Sequence, residues 1–288
     1  MTILVTGATG LVGRHVTEHL VARGADVRAF VRDPGAAGLP AGVSLAKGDF
    51  LDINAVKTAL DGVTTLFLLN AVVPDELTQA LVALDLARKA GIRRVVYLSV
   101  FHGERYIDVP HFAGKLAVER MIEETGIPAT ILRPAYYMNN DLLIRDVVTD
   151  HGVYPMPIGG RGLAMIDARD IAEIAAIELL RRERSDEALP LDRINLVGPD
   201  VLTAADAAAV WSEILGREIV YPGEDLDSFE AAQRHVMPPW MAHDMRLMAE
   251  RFGTEGMLSE PGDVARLTDL LGRPLRTYRA FVREIAAA

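Results

Sequence analysis

Seven residues near the start of the chain, Gly7-Ala-Thr-Gly-Leu-Val-Gly13, restrict what this sequence can fold into more than any other stretch. The run before them, TILVT at 2–6, is apolar and β-branched, and residues 11–23 after them follow a helical pattern, so the glycines fall where a strand hands over to a helix. A pyrophosphate needs that arrangement. Glycines let the backbone turn tightly and approach the phosphates, and the helix N-terminus then offers free N–H groups and the positive end of its dipole. A glycine-rich turn also occurs in α/β domains that bind nothing, so its weight comes from the elements around it.

Those elements alternate strictly. Strand-like runs at 2–6, 26–31, 43–46, 64–69, 94–99 and 128–132 are separated by helical patterns at 11–23, 52–61, 75–90 and 111–125, with Gly24, Gly62, Gly91 and Gly126 as helix stops. The order predicts an α/β fold, a doubly wound parallel (Rossmann) sheet with right-handed crossovers. After Pro134 the rhythm changes. A helix at 166–180 entered through Asp167, a strand at 192–197, a helix from the Thr203 cap to Leu215 and amphipathic segments at 225–235, 240–251 and 276–287 describe a smaller helix-rich C-terminal lobe. The 288 residues thus divide into a dinucleotide-binding domain at 1–133 and a substrate lobe at 134–288, across a soft boundary that segments can recross.

Composition removes several function classes. Lys and Arg total 30 against 40 Asp and Glu, a net charge of −10 that disfavours nucleic acid. Cysteine is absent, which excludes disulfides, thiolate catalysis and Cys-based metal sites. The longest stretches without a charged residue run 13 residues, too short for a membrane span, and Met1 leads straight into a strand rather than a basic leader, so a cytoplasmic protein is expected. His235 and His243 lack a carboxylate at ligand spacing, so no metal site is expected, and Asp167 and Asp170 read as helix-start residues rather than a catalytic pair. No G-x-S-x-G elbow occurs.

Candidate site residues lie where strands end. Arg32 follows the second strand, where a site selective for NAD would present a carboxylate to the ribose; with Arg14 it suits a 2′-phosphate, while Asp33 next to it could serve the ribose instead. Asp49 and Phe50 after the third strand suit an adenine amino group and ring face, or Asp49 caps the next helix. Ser99 ends the fifth strand, and His111 and Lys115 stand four apart on one helix face. Phe101 and His102, then Tyr136, Tyr137 and Met138 after Arg133-Pro134, are candidates for an apolar substrate wall, core packing being the alternative. Trp240 with Met237, Met241 and Met245 is a weaker candidate for an adaptable apolar cover.

Ser99, His111 and Lys115 carry the spacing of the Ser, Tyr and Lys of the short-chain dehydrogenase/reductase superfamily, with histidine at the tyrosine position of YxxxK. That departure, with GATGLVG at the extreme N-terminus, VRDP at 31–34, KGDFLD at 47–52, HFAGKLAVERMIEETGIPATILRP at 111–134 and FVRE near the C-terminus, resembles the atypical NmrA-like branch over nearly the whole chain. The branch holds NAD(P)H-dependent quinone oxidoreductases, triphenylmethane and isoflavone-type reductases, and regulators that only sense the cofactor. The resemblance implies cofactor contacts by Gly7, Thr9, Gly10, Leu11, Val12, Arg32, Asp49, Asn70, Ser99, Lys115 and Pro134. It leaves open whether His111 replaces the tyrosine as acid or stands as surface or substrate wall. NADP(H) is expected ahead of NAD(H), with an apolar aromatic or quinonoid small molecule as partner. A non-catalytic regulator acting through another protein, and an isomerase or cyclase on the same fold, are the alternatives.

Overall fold

The protein is described by a computed structural model covering residues 1–36 and 38–287. Two compact units emerge, and the chain passes between them at Val100, Ala113, Arg133, Ala168 and Ile194. The first comprises Met1–Val100, Gly114–Arg133 and Arg169–Ile194; the second comprises Phe101–Ala113, Pro134–Ala168 and the chain from Asn195 onward.

The elements run β1 (Thr2–Val5), α1 (Leu11–Ala22), β2 (Asp26–Val31), β3 (Ser44–Lys47), α2 (Ile53–Leu60), β4 (Val63–Leu68), α3 (Glu76–Lys89), β5 (Val95–Leu98), α4 (Pro110–Thr125) and β6 (Ala129–Pro134). Next come α5 (Arg145–His151), α6 (Ala168–Glu183), β7 (Asp192–Leu196), α7 (Ala204–Leu215), α8 (Leu226–Gln233), α9 (Pro239–Thr254), α10 (Asp263–Leu271) and α11 (Tyr278–Ala286). Strand order is β3-β2-β1-β4-β5-β6-β7, and the pairings from β3 through β6 are parallel. The order reverses between β1 and β4, the position at which open α/β sheets bind ligands.

The central strands β1, β4, β5 and β6 are buried on both faces, as a parallel sheet requires, while the edge strand β3 is largely exposed. Leu4, Leu66, Leu68, Val95, Tyr97 and Ile131 meet Val56, Leu60, Leu84, Val118 and Ile122 from α2, α3 and α4 in one apolar cluster. The alternate residues Ile3, Val5, Phe67 and Val96 are equally buried. Helix α6 belongs to this unit through polar contacts that periodicity does not reveal. Its Glu183 accepts from Thr64 Oγ1 at 2.8 Å and from Thr65, while Thr130 Oγ1 donates to Glu178 at 2.8 Å and accepts from Arg182 Nε at 2.7 Å. Arg182 also donates to the Leu189 and Pro190 carbonyls, and burial draws its pKa down to about 10.

The second unit packs around Trp211, Tyr154, Tyr278 and Phe252, all buried. At its centre Asp141, fully buried, accepts from Tyr154 Oη at 3.2 Å, Trp211 Nε1 at 3.4 Å and Tyr278 Oη. Helix α7 opens with the expected Thr203 cap, reinforced by Asp206 in a reciprocal capping box, and closes at Gly216. Asp167 precedes α6, which starts at Ala168 and runs three residues past the expected end at Leu180. Among the described residues, no helix is long and apolar enough to cross a membrane.

Candidate functional site

Within the first unit, the ends of β1 and β4 are fastened by one side chain. Thr6 Oγ1 lies 3.1 Å from the Phe67 carbonyl and 3.0 Å from the Leu69 carbonyl, and accepts from Leu69 N–H at 2.8 Å. Gly7 then takes a left-handed backbone with φ +62°, and a side chain there would meet Leu69 Cγ at 2.9 Å. Gly10 donates its N–H to the Gly7 carbonyl at 3.0 Å and acts as the α1 N-cap, with no side chain capping the helix and no acid in its first turn. Thr9, Gly10 and Leu11 are exposed, and Val12 is buried beneath them. Asn70 follows Leu69. It is 5% exposed, and neither its Oδ1 nor its Nδ2 has a hydrogen-bond partner among the described residues. An amide sealed from water with both ends unsatisfied costs several kcal/mol, about 1–3 for each group, so a polar ligand at the switch point would suit it. The tight glycine turn, the uncapped helix start and this orphaned amide together fit a dinucleotide.

Arg32 is exposed, and the Arg14 guanidinium reaches beside Gly38 in the loop after β2, so both cations serve the same end of the sheet. Asp33 is occupied differently, its Oδ1 accepting from Gly35 N–H at 3.0 Å. Asp49 does not cap α2. That role belongs to Asp52, which accepts from Asn54 and Ala55 N–H, whereas Asp49 Oδ1 accepts from Leu51 N–H at 2.9 Å within its own turn. Phe50 packs edge-on against Phe30 at 5.3 Å.

Two buried ion pairs hold the candidates that follow β5. Lys115 Nζ donates to Glu76 Oε1 at 2.5 Å, with about a tenth of either side chain exposed. Ser99 Oγ donates to Glu119 Oε1 at 2.5 Å, and Arg133 clasps the same carboxylate through Nε and Nη2. Glu76, Glu119 and Arg133 were not singled out from the sequence.

The second unit holds the remaining candidates. Pro134 is buried, and its carbonyl accepts from Phe101 N–H at 2.9 Å. Phe101 is 1% exposed and stacks on His102 at 3.7 Å. His102 alone among the described non-glycine residues has a positive φ, +56°, and burial with the nearby Arg105 charge lowers its pKa, which favours the neutral ring. Tyr136 is buried against Phe252, its hydroxyl sealed beside the Asn140 side chain; Tyr137 is half-buried, and burial raises the pKa of both phenols. Met138 is fully enclosed, so Phe101 and Met138 form packing beneath a wall rather than its surface, a correction to the sequence expectation. Trp240 on α9 is 38% exposed, and Met237, Met241 and Met245 are half-buried. His111 is held by Asp244 of α9, again unforeseen: its backbone N–H donates to Oδ1 at 3.0 Å and its Nδ1 contacts Oδ2. Among the described residues no group of three or more His, Asp or Glu could hold a metal ion.

The fold and glycine turn define a Rossmann-like α/β protein of the atypical short-chain dehydrogenase/reductase type. The NmrA-like family profile matches residues 1–273, and the chain belongs to that family. It is similar to the NAD(P)H azoreductase of Xenophilus azovorans, 30% identical over 291 residues that cover 99% of this chain and 98% of the relative. The (4-alkanoyl-5-oxo-2,5-dihydrofuran-3-yl)methyl phosphate reductase of Streptomyces griseus is 32% identical with the same coverage. The structure of an NADPH-dependent quinone oxidoreductase from Escherichia coli in complex with NADPH superposes with a TM-score of 0.85, at 27% identity and 99% coverage of both chains.

Proposed function

We propose that this chain reduces a flat, apolar, aromatic or quinonoid acceptor. It is an NAD(P)H-dependent oxidoreductase, and NADP(H) is its preferred cofactor. The observation that carries this reading is the orphaned Asn70 amide beside a glycine turn that leaves no room for a Cβ at Gly7 or Gly13, at the reversal of strand order. Relatives aligned over nearly the full chain and named as NAD(P)H-dependent or other reductases support it.

Gly7, Thr9, Gly10, Leu11 and Val12 would hold the pyrophosphate, Arg32 with Arg14 the 2′-phosphate, and Asp49 with Phe50 the adenine. Asn70, Ser99, Lys115 and Pro134 would hold the nicotinamide end. When bound, NADPH supplies the hydride. The Glu76 carboxylate keeps the Lys115 ammonium in one place, so that it orients a ribose rather than sampling rotamers. Ser99 is fixed by Glu119 and acts through its position. Tyr137 and Trp240 would face the acceptor, with Tyr136 and His102 packed behind the wall.

The test is consumption of NADPH, followed by absorbance, with 1,4-naphthoquinone, methyl red and a butenolide as acceptors. Turnover with at least one is expected. Tight NADPH binding without turnover would instead favour a cofactor-sensing regulator.

Arg32→Ala should raise the NADPH dissociation constant by about tenfold or more, because a charge-assisted pair to phosphate is lost, and leave NADH binding unchanged. Calorimetry with both cofactors decides it; an equal loss for both would place the 2′-phosphate elsewhere. Lys115→Ala should weaken NADPH binding and also destabilise the fold by roughly 2–4 kcal/mol, since Glu76 is left as a buried unpaired charge. Adding Glu76→Ala should restore most of the stability without restoring affinity. Recovery of both in the double variant would reduce Lys115 to a structural partner.

A further inference from the structure

We propose that Asp244 is a positioning residue that fixes His111 as the proton donor of the reduction, a reading that rests on the reductase activity proposed above. Asp244 lies on α9 and is 1% exposed. Its two oxygens grip one residue at two points, Oδ1 on the His111 backbone N–H and Oδ2 on ring nitrogen Nδ1. Phe112 packs edge-on to the ring at 4.6 Å and 90°, which fixes its plane. A carboxylate accepts hydrogen bonds and donates none, so Nδ1 carries a hydrogen and Nε2 is the nitrogen left open.

The arrangement is built at one end and open at the other. Among the described residues Nε2 has no hydrogen-bond partner, and it is not sealed from solvent, the side chain keeping 10% of its surface exposed.

The other proton-bearing groups are committed, inaccessible or weaker acids. Ser99 donates to Glu119, Lys115 is paired with Glu76, and Tyr106 donates to the Gly256 carbonyl. Tyr136 is sealed, and burial raises its pKa and that of Tyr137. His102 is 3% exposed and favours its neutral form.

The chemistry balances. An acceptor that has gained a hydride holds an electron pair on nitrogen or oxygen. The Nε2–H bond of the imidazolium breaks as an N–H or O–H bond forms on the acceptor, the neutral ring keeps its Nδ1 hydrogen on Asp244, and water returns a proton to Nε2. For the azo bond of methyl red, one hydride and one proton convert N=N into HN–NH. For a quinone, the anion produced is a delocalised phenolate that needs the donor less.

The decisive variant is Asp244→Asn, which keeps an acceptor for the His111 backbone N–H but presents an amide donor to Nδ1. The ring then carries its hydrogen on Nε2 and loses the carboxylate that would stabilise its charged form. Imidazole ¹⁵N chemical shifts should show the Nδ1–H tautomer in the native protein and the Nε2–H tautomer in the variant. The kcat for methyl red should fall by about 100-fold, within the usual range for general acid catalysis, with KM and the NADPH dissociation constant nearly unchanged and a smaller loss for 1,4-naphthoquinone. His111→Gln should lower kcat similarly, and the double variant should lose no more than either single one, which keeps the test valid if Asp244→Asn folds poorly.

A native Nε2–H tautomer, or an unchanged kcat for methyl red in His111→Gln, would overturn the proposal. Failure of the native protein to consume NADPH with either acceptor would overturn the reductase reading and the proton-donor role together. The two failures are distinguishable because the ¹⁵N spectrum reads the pair without turnover.

Discussion

Replacing Asp141 by alanine is expected to destabilise the protein by about 3 kcal/mol or more, because Tyr154, Trp211 and Tyr278 would lose their common acceptor inside a dry core. Asp141→Asn should cost far less, since its amide keeps an oxygen for those donors. The two variants also separate by pH. Burial, working against hydrogen bonds from Tyr278, Trp211 and Tyr154, raises the Asp141 pKa from 3.8 to about 6. The folded state therefore binds a proton more tightly than the unfolded chain. That contribution is fully present below about pH 4, declines as pH rises towards 6, and is gone above it. A shift of about two units corresponds to about 3 kcal/mol. Urea denaturation of native protein and Asp141→Asn between pH 4 and 7.5 should show the gap moving in favour of the native protein as pH falls, by up to that amount. A gap independent of pH would mean that Asp141 is ionised in the fold throughout this range.

The first six strands and first four helices were legible because each is a local pattern with its own stop. The β-branched runs ended at charged or glycine-rich turns, and Gly24, Gly62, Gly91 and Gly126 all take positive φ where a helix closes. What was not legible is held by distance. Helix α6 was assigned to the second lobe because it follows Pro134, yet Glu178 and Glu183 meet threonines 48 and 118–119 residues earlier in the chain. Helix α10 escaped notice because it is nine residues long and opens on Gly262, which has no side chain to cap it.

The site divides the same way. Gly7, Gly10, Gly13 and Arg32 could be named because the glycine turn and the end of β2 lie within short, recognisable segments. The partners that hold Ser99, Lys115 and His111 could not, since Glu119, Glu76 and Asp244 lie 20, 39 and 133 residues away. Only the packing of α3, α4 and α9 turns these ordinary helix acids into buried partners. Asn70 was legible as the residue that leaves the fourth strand and through the family resemblance; that its amide lacks a partner among the described residues appears only in the fold.

Gly13→Ala is expected to abolish useful cofactor binding, raising the NADPH dissociation constant by about 100-fold or more, an effect of nearly 3 kcal/mol. A Cβ at Gly13 would lie 2.2 Å from the Gly7 carbonyl oxygen and 2.6 Å from its carbon. These are backbone atoms and cannot rotate aside. The same carbonyl accepts the Gly10 N–H, so relief would open the turn that shapes the loop. Ala8 and Val12 are buried on either side, which blocks α1 from sliding away, and overpacking of this kind adds about 1–3 kcal/mol of lost stability. Gly10→Ala provides the contrast. Its Cβ would stand 3.3 Å from the Gly7 oxygen on an ordinary extended backbone, so the fold should tolerate it with little change in melting temperature. Because Gly10 is exposed at the helix start, however, that methyl group would occupy space a phosphate needs, and affinity should still fall. Loss of binding in both variants, with loss of stability in Gly13→Ala alone, would locate the pyrophosphate at this turn. If Gly10→Ala bound NADPH as tightly as the native protein, the phosphates would have to lie elsewhere.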